Sequence, residues 1–329
     1  MPANLTPQYK KAQERYRSAT EPREKLEALR EMLRVIPKHK GTEHLQADLK
    51  RRIKETKEEA LSAKKRRKGG PSFAVNSGGF PQVILVGPPN AGKSALAARL
   101  SGAELDVAPY PFTTREPHPA MMPYENARIQ LVDTPPILPE SMEPWMGSLV
   151  RAADAAVLVA DLAAGDLLEG FAGVLAQLGR QKVFFGEVPE AQQGMPGAVA
   201  MRALVAANKC DDPDAADALA ILREAHPGFE YVAVSAQTCE GLEDLRRRIW
   251  ALLDLVRAIP KPPGKPPDFD DPILLRRGGT VIDMARVIHA ELAERLKRAR
   301  VWQSPDHADG AFVARDHVVA DMEVIELEA

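Results

Sequence analysis

The spacing of apolar positions along this chain changes twice. Between Thr20 and Pro37, the residues Leu26, Leu29, Met32, Leu33 and Ile36 recur at helical intervals. Thr20 can cap that helix, Pro22 falls in its first turn and Pro37 stops it. Thr42 can cap a second helix with Leu45, Leu49 and Ile53 on one face, and a shorter helix around Tyr9, Ala12 and Tyr16 precedes both. Residues 1–68 therefore predict a helical N-terminal hairpin. A linker over 69–79 opens with Gly69-Gly70-Pro71. From Phe80 the helical stripe gives way to short apolar runs: Val83–Val86, Ile129–Val132, Ala155–Ala160, Lys182–Phe185, Leu204–Ala207 and Tyr231–Val234. Helical patterns such as Leu167–Leu178 and Glu240–Leu253 lie between them. This alternation predicts an α/β domain over 80–253, with a mostly parallel sheet covered on both faces and ligands taken at the carboxyl ends of its strands. A third block, 254–329, opens with the Pro-rich stretch Ile259–Pro267. It continues with a strand at Ile273–Leu275, a helix from Val281 to about Lys297, and strands at Ala299–Trp302 and Glu323–Leu327.

Candidate chemistry falls at the predicted strand ends. Gly87-Pro88-Pro89-Asn90-Ala91-Gly92-Lys93-Ser94 fits GxxxxGK[ST] and lies between a strand and the helical run that starts at Ala95. In that context the backbone from Gly87 through Pro88, Asn90, Ala91 and Gly92 to Ala95 can wrap a phosphate. Lys93 supplies charge to the β- and γ-phosphates, and the Ser94 hydroxyl can ligate Mg²⁺. Asp133 follows the strand Ile129–Val132 and can hold the same Mg²⁺ through a water. Between them, one threonine of Tyr110-Pro111-Phe112-Thr113-Thr114 is expected to close over the γ-phosphate and ligate the metal, Thr114 by preference and Thr113 as the alternative. The base is read further on. Asn208-Lys209-Cys210-Asp211 follows the strand Leu204–Ala207. Asp211 can accept two hydrogen bonds from the N1–H and amine of guanine, a donor pair that adenine lacks on that edge. Asn208 can tie this loop to the phosphate loop, and the stem of Lys209 can cover the base. Ser235-Ala236, after Tyr231–Val234, can offer a backbone N–H to the guanine carbonyl. The expected ligands are GTP and GDP.

Composition adds little to this except in its distribution. The 329 residues carry a net charge of −2, but the segment up to Lys68 holds about 20 Lys/Arg against about 10 Asp/Glu. The run Lys64-Lys65-Arg66-Arg67-Lys68, extended by Lys50, Arg51, Arg52, Lys54 and Lys57, can contact RNA phosphates or can be a solvated helix end. Two cysteines, Cys210 and Cys239, make no disulfide framework. The N-terminus has no apolar signal core, and no run is long enough to span a membrane. A cytoplasmic setting is expected.

The loops GPPNAGKS, YPFTT, VDTP, NKCD and VSA, in this order, resemble those of the Obg-like GTPases. The tail motifs Pro263–Pro272, Leu275–Thr280, Arg300-Val-Trp302 and Asp316-His-Val-Val319 resemble the TGS domain of the developmentally regulated GTP-binding family. The likeness covers about Phe80 to Ala329. It implies a P-loop GTPase core, a ubiquitin-like β-grasp tail, and a role near the ribosome and RNA.

The chain departs from that family at three points. Pro136 stands where the family's DxPG switch has a glycine whose N–H bonds the γ-phosphate, and proline has no N–H to give. Ile137 stands where many GTPases place a water-orienting glutamine, an absence that Obg-like proteins share. Asn90 matches a position that, in related GTPases, helps hold K⁺ near the bridging oxygen; its other reading is a brace for the loop. Finally, Asp161 to Ala207 is too short for the domain that the family inserts in its GTPase core. A slow, Mg²⁺-dependent GTP hydrolysis is expected, with a non-hydrolysing guanine-nucleotide sensor as the alternative.

Overall fold

The structure, a computed structural model, describes residues 8, 22–35, 75–102, 116–188 and 193–328. The chain divides into two compact units, Met1–Ser72 and Phe73–Ala329. In the first, helix α1 spans Pro22–Val35 and buries Leu29 and Met32 of the expected stripe, with Ala28 beside them, while Leu33 is half-buried. The expected helices around Tyr9–Tyr16 and Leu45–Ile53, and the basic run to Lys68, lie outside the described residues.

The second unit begins with a six-stranded sheet. Its strands are β1 (Gln82–Val86), β2 (His118–Tyr124), β3 (Ala127–Asp133), β4 (Ala155–Asp161), β7 (Ala203–Asn208) and β8 (Tyr231–Val234), in the order β2-β3-β1-β4-β7-β8. All neighbours are parallel except the β2–β3 hairpin. The side chains of β1 alternate between two cores. Val83 and Leu85 pack with helix α2 (Lys93–Ser101) and helix α6 (Leu242–Leu253). Ile84 and Val86 pack with α3 (Met146–Ala152) and α4 (Leu167–Arg180) on the other face. Helix α5 (Ala215–Ala225) lies between β7 and β8 in the chain. Covering both faces is what leaves β1 and β4 buried along their whole length and mostly apolar.

Within this region β2 and the run ending at Phe185 differ from expectation. β2 was absent from the apolar pattern because His118-Pro-Ala-Met-Met-Pro-Tyr124 carries two prolines. The strand lies at the sheet edge, where a proline costs no ladder bond. The run ending at Phe185 forms β5 (Val183–Phe185), which pairs with β6 (Val199–Met201) in a separate two-stranded sheet.

Helix α6 ends at Leu253, Asp254 turns through φ 52°, and strand β9 (Leu255–Pro260) starts at once. It belongs to a second, five-stranded sheet with β10 (Ile273–Arg276), β11 (Arg298–Trp302), β12 (Ala311–Val313) and β13 (Val324–Glu328), ordered β10-β9-β13-β11-β12. β9 and β13 are parallel and the other pairs antiparallel. Helix α7 (Val281–Ile288) buries Val281, Met284 and Ala285 against this sheet. The long helix expected from Val281 to Lys297 is broken. His289 is extended at φ −165°, and its Nδ1 accepts Glu291 N–H at 3.3 Å to start α8 (Ala290–Arg295). His317, for which sequence offers no partner, sits 3.0 Å from Glu323, a fully buried carboxylate that also accepts Ala320 N–H at 2.9 Å. Trp302 is half-buried, with the Lys261 ammonium 4.6 Å from its ring centre.

Candidate nucleotide-binding site

The phosphate loop runs from the end of β1 to the start of α2. Gly92 adopts φ 88° at the helix entry, and a Cβ there would come within 2.2 Å of Asn208 Nδ2, so the position admits only glycine. Asn90 also has positive φ, 60°, a conformation that asparagine tolerates better than most residues. Lys93 is buried, and its Nζ donates to Gly87 O at 3.1 Å and Pro88 O at 3.0 Å, folding the ammonium into the loop that it serves. Burial lowers its pKa to about 8, against a smaller opposing pull from Asp133.

Asp133 ends β3 beside this loop. Its Oδ2 accepts the Ser94 hydroxyl at 2.6 Å, while its buried Oδ1 has no hydrogen-bond partner among the described residues. Burial pushes this carboxyl up, opposed by Ser94, Lys93 and His118. A buried carboxylate oxygen without a donor is an anomaly, and a hydrated cation held with Ser94 would satisfy it. The donor set of hydroxyl and carboxylate is the hard-oxygen kind that Mg²⁺ takes. His118 lies opposite Asp133 in the β2–β3 ladder. The apolar pattern could not reveal that neighbour, because it did not predict β2.

The next residues decide how the switch begins. Thr134 Oγ1 donates to Leu85 O at 2.7 Å. Pro136 has no N–H, and the next one along the chain, on Ile137, donates to Gly87 O at 3.1 Å. Ile137 itself is fully buried in the core that lines Ile84 and Phe171. Thr113 and Thr114 lie outside the described residues.

The base-reading loops converge on the phosphate loop through one side chain. Asn208 Nδ2 donates to Ala91 O at 2.8 Å, and its Oδ1 accepts Ala236 N–H at 3.1 Å. Arg99 of α2 adds a second tie, donating to Ala236 O at 3.1 Å. Ser235 is buried and its hydroxyl accepts Gln237 N–H and Thr238 N–H, shaping the turn that presents Ala236. Together Gly92, Ala95, Asn208, Lys209, Asp211 and Ala236 line a cavity of about 430 Å³, with Asp211 exposed at its edge. That volume lies within the usual range for small-ligand pockets. Cys210 is half-buried and burial raises its thiol pKa, which fits a tolerated small residue rather than a nucleophile. Arg276 and Arg277 each meet a carboxylate at 2.8 Å, Asp154 and Asp254 respectively.

Comparison with known proteins places the chain among GTP-binding relatives. A family model described as "50S ribosome-binding GTPase" matches residues 82–184, and the TGS domain model matches residues 256–328. An uncharacterised GTP-binding protein of Halobacterium salinarum is 28% identical over 364 positions, covering 93% of this chain and 98% of its own. That alignment is longer than the 329 residues here, so the relative carries segments that this chain lacks. The developmentally-regulated GTP-binding protein 2 homolog of Dictyostelium discoideum is 27% identical, covering 92% of this chain and 98% of its own. Among solved structures, a GTP-binding protein from Pyrococcus horikoshii aligns with a TM-score of 0.48 at 14% identity, over 75% of this chain and 99% of that one. The chain is a GTP-binding protein of the P-loop GTPase class with a C-terminal TGS domain, and over most of its length it is similar to the developmentally regulated GTP-binding proteins.

Proposed function

We propose that this site binds GTP and hydrolyses it slowly to GDP and phosphate, and that the chain acts in the cytoplasm as a switch on the ribosome or RNA. The observation that carries the reading is Asn208. One side chain joins the phosphate loop at Ala91 to the base-side turn at Ala236, so both ends of a nucleotide would be gripped by one rigid frame. Gly87, Pro88, Asn90, Ala91, Gly92 and Ala95 would cradle the phosphates with their backbone. Asp211, Lys209, Ser235 and Ala236 would take the guanine.

Phosphoryl transfer depends mostly on positioning and charge. Lys93 is preorganised for this, because its ammonium already rests on two carbonyls and needs only to turn to the phosphates. Ser94 and Thr114, with Asp133 through a water, would hold Mg²⁺, and Thr113 is the alternative to Thr114. When bound, Mg²⁺ neutralises charge on the phosphoryl oxygens. The unpartnered Asp133 Oδ1 supports that assignment. Asn90, exposed on the loop, would add K⁺ near the phosphates, its other role being a brace for the loop. The ribosomal role draws on the description of the matching GTPase family.

A second reading is a guanine-nucleotide sensor with negligible hydrolysis. The backbone after Asp133 favours it, since Pro136 has no N–H and that of Ile137 is taken by Gly87 O. Single-turnover phosphate release from GTP with Mg²⁺ separates the two. The enzyme reading expects release that Lys93→Ala abolishes, and faster release in K⁺ than in Na⁺. GTP that stays intact through the life of the complex would establish the sensor, and equal rates in K⁺ and Na⁺ would remove potassium from the account.

A further inference from the structure

Asp161 closes β4 beside the base-reading loop, and neither its type nor its place belongs to the loops that identify the site. It is 6% exposed. A carboxylate so buried needs strong partners, and it has two. Oδ2 accepts Lys209 Nζ at 2.5 Å, and Oδ1 accepts Ala163 N–H at 3.0 Å. The β4–β7 ladder sets Asp161 directly against Asn208, and Leu162 N–H donates to Asn208 O at 3.0 Å. Lys209 itself leaves β7 in the left-handed region at φ 65°. Its stem therefore runs from the end of β7 to the end of β4, along the cavity that Lys209 and Ala163 both line.

A lysine on a surface loop ordinarily distributes its flexible stem over many rotamers, and ordering it at the moment of binding weakens binding. Here the ammonium is fixed before any ligand arrives. We propose that Asp161 is a positioning residue for base recognition: it anchors Lys209 so that the aliphatic stem forms one wall of the guanine slot and slows nucleotide release. The proposal rests on the reading of this cavity as the guanine site. Because the base is common to both nucleotides, the effect is the same for GDP and GTP.

The test is dissociation of a fluorescent GDP from the full chain, in the wild type, Asp161→Asn, Lys209→Met and the double variant. Asparagine keeps the size and the acceptor for Ala163 but removes the charge. Methionine keeps an apolar stem without the ammonium, at a side chain exposed enough to be replaced without loss of fold. Asp161→Asn is expected to speed release about tenfold, the scale of one lost charge-assisted hydrogen bond. The double variant is expected to release no faster than the faster single one, because both act through the same contact. Effects that multiply, or an unchanged rate in Asp161→Asn, would overturn the proposal. Asp211→Asn serves as the control for the underlying reading. The amide it introduces can donate to the C2 carbonyl of xanthine, so it should trade guanine for xanthine. An unchanged preference for GDP over XDP in that variant would remove the base site and this proposal together. A swapped preference with independent effects at Asp161 and Lys209 would remove this proposal alone.

Discussion

At the residue scale, the loops that carry the chemistry were legible because each needs a particular side chain at a particular strand end. Lys93 shows what sequence could not supply. Its burial beside Asp133 lowers its pKa to about 8, whereas an unfolded lysine keeps its proton up to about 10.5. The folded chain therefore holds fewer protons between those values, and its stability rises with pH across that window. Nucleotide phosphates favour the charged ammonium, so binding restores the proton. At pH 9 GDP binding is expected to take up about one proton per site, read by calorimetry in buffers of different ionisation enthalpy, and far less at pH 7. Pro136 gives a second expectation. Replacing it by glycine supplies a switch N–H, and one bond to a charged acceptor contributes about 1–3 kcal/mol. Pro136→Gly should therefore raise the preference for GTP over GDP by about fivefold or more (about 1.4 kcal/mol per factor of ten) in paired titrations. Asp161 and His118 were not legible as site residues, since their relevance comes from strand pairing across the sheet.

At the element scale, apolar runs gave β1, β3, β4, β7 and β8; β1, β4 and β7 are buried almost throughout, and β3 and the edge strand β8 each keep a short apolar run despite one exposed position. β2 and β9 were lost to prolines that edge and terminal positions tolerate. The predicted helix at Val281 was correct at its start, where the chemistry is local. The Thr280 N–H and hydroxyl both donate to Asp283 Oδ2, at 3.0 and 2.7 Å, and these bonds hold the Asp283 carboxyl below its usual range. It failed at its end, where His289 turns extended against the helical pattern. Thr280→Ala should cost about 1 kcal/mol, typical of a lost helix cap. Urea denaturation would measure it, and Thr238→Ala, at an exposed turn, is the comparison with little expected change.

At the scale of the whole second unit, the five-stranded sheet is seated on the six-stranded one through Arg257. This β9 side chain, largely buried, reaches Glu125 and Asn126 at the β2–β3 turn and pairs with Asp321 at 2.7 Å. Its guanidinium also lies 5.5 Å from the Trp250 ring centre. Asn126 in turn donates to Phe269 O at 2.9 Å, and Arg276 meets Asp154, whose other oxygen accepts Gln82 N–H at the start of β1. None of this was legible, since no periodicity reports which charges meet across two sheets. The acidic partners are partly exposed, so each ion pair contributes about 0.2–1 kcal/mol, and the ring contact adds about 0.5–1 kcal/mol. Arg257→Ala should then lower stability by about 1–3 kcal/mol. Urea denaturation of the full chain would show it; a midpoint unchanged from wild type would mean that the two sheets are held by other contacts.

The central claim is that Asn208 joins a phosphate loop and a guanine-reading loop into one site. Competition against a bound fluorescent GDP, in Mg²⁺, tests it most directly. The account predicts that unlabelled GDP and GTP displace the probe stoichiometrically, that ATP fails even in large excess, and that Asn208→Ala weakens binding of both guanine nucleotides together. Displacement by ATP as effective as by GTP, or full affinity in Asn208→Ala, would contradict it.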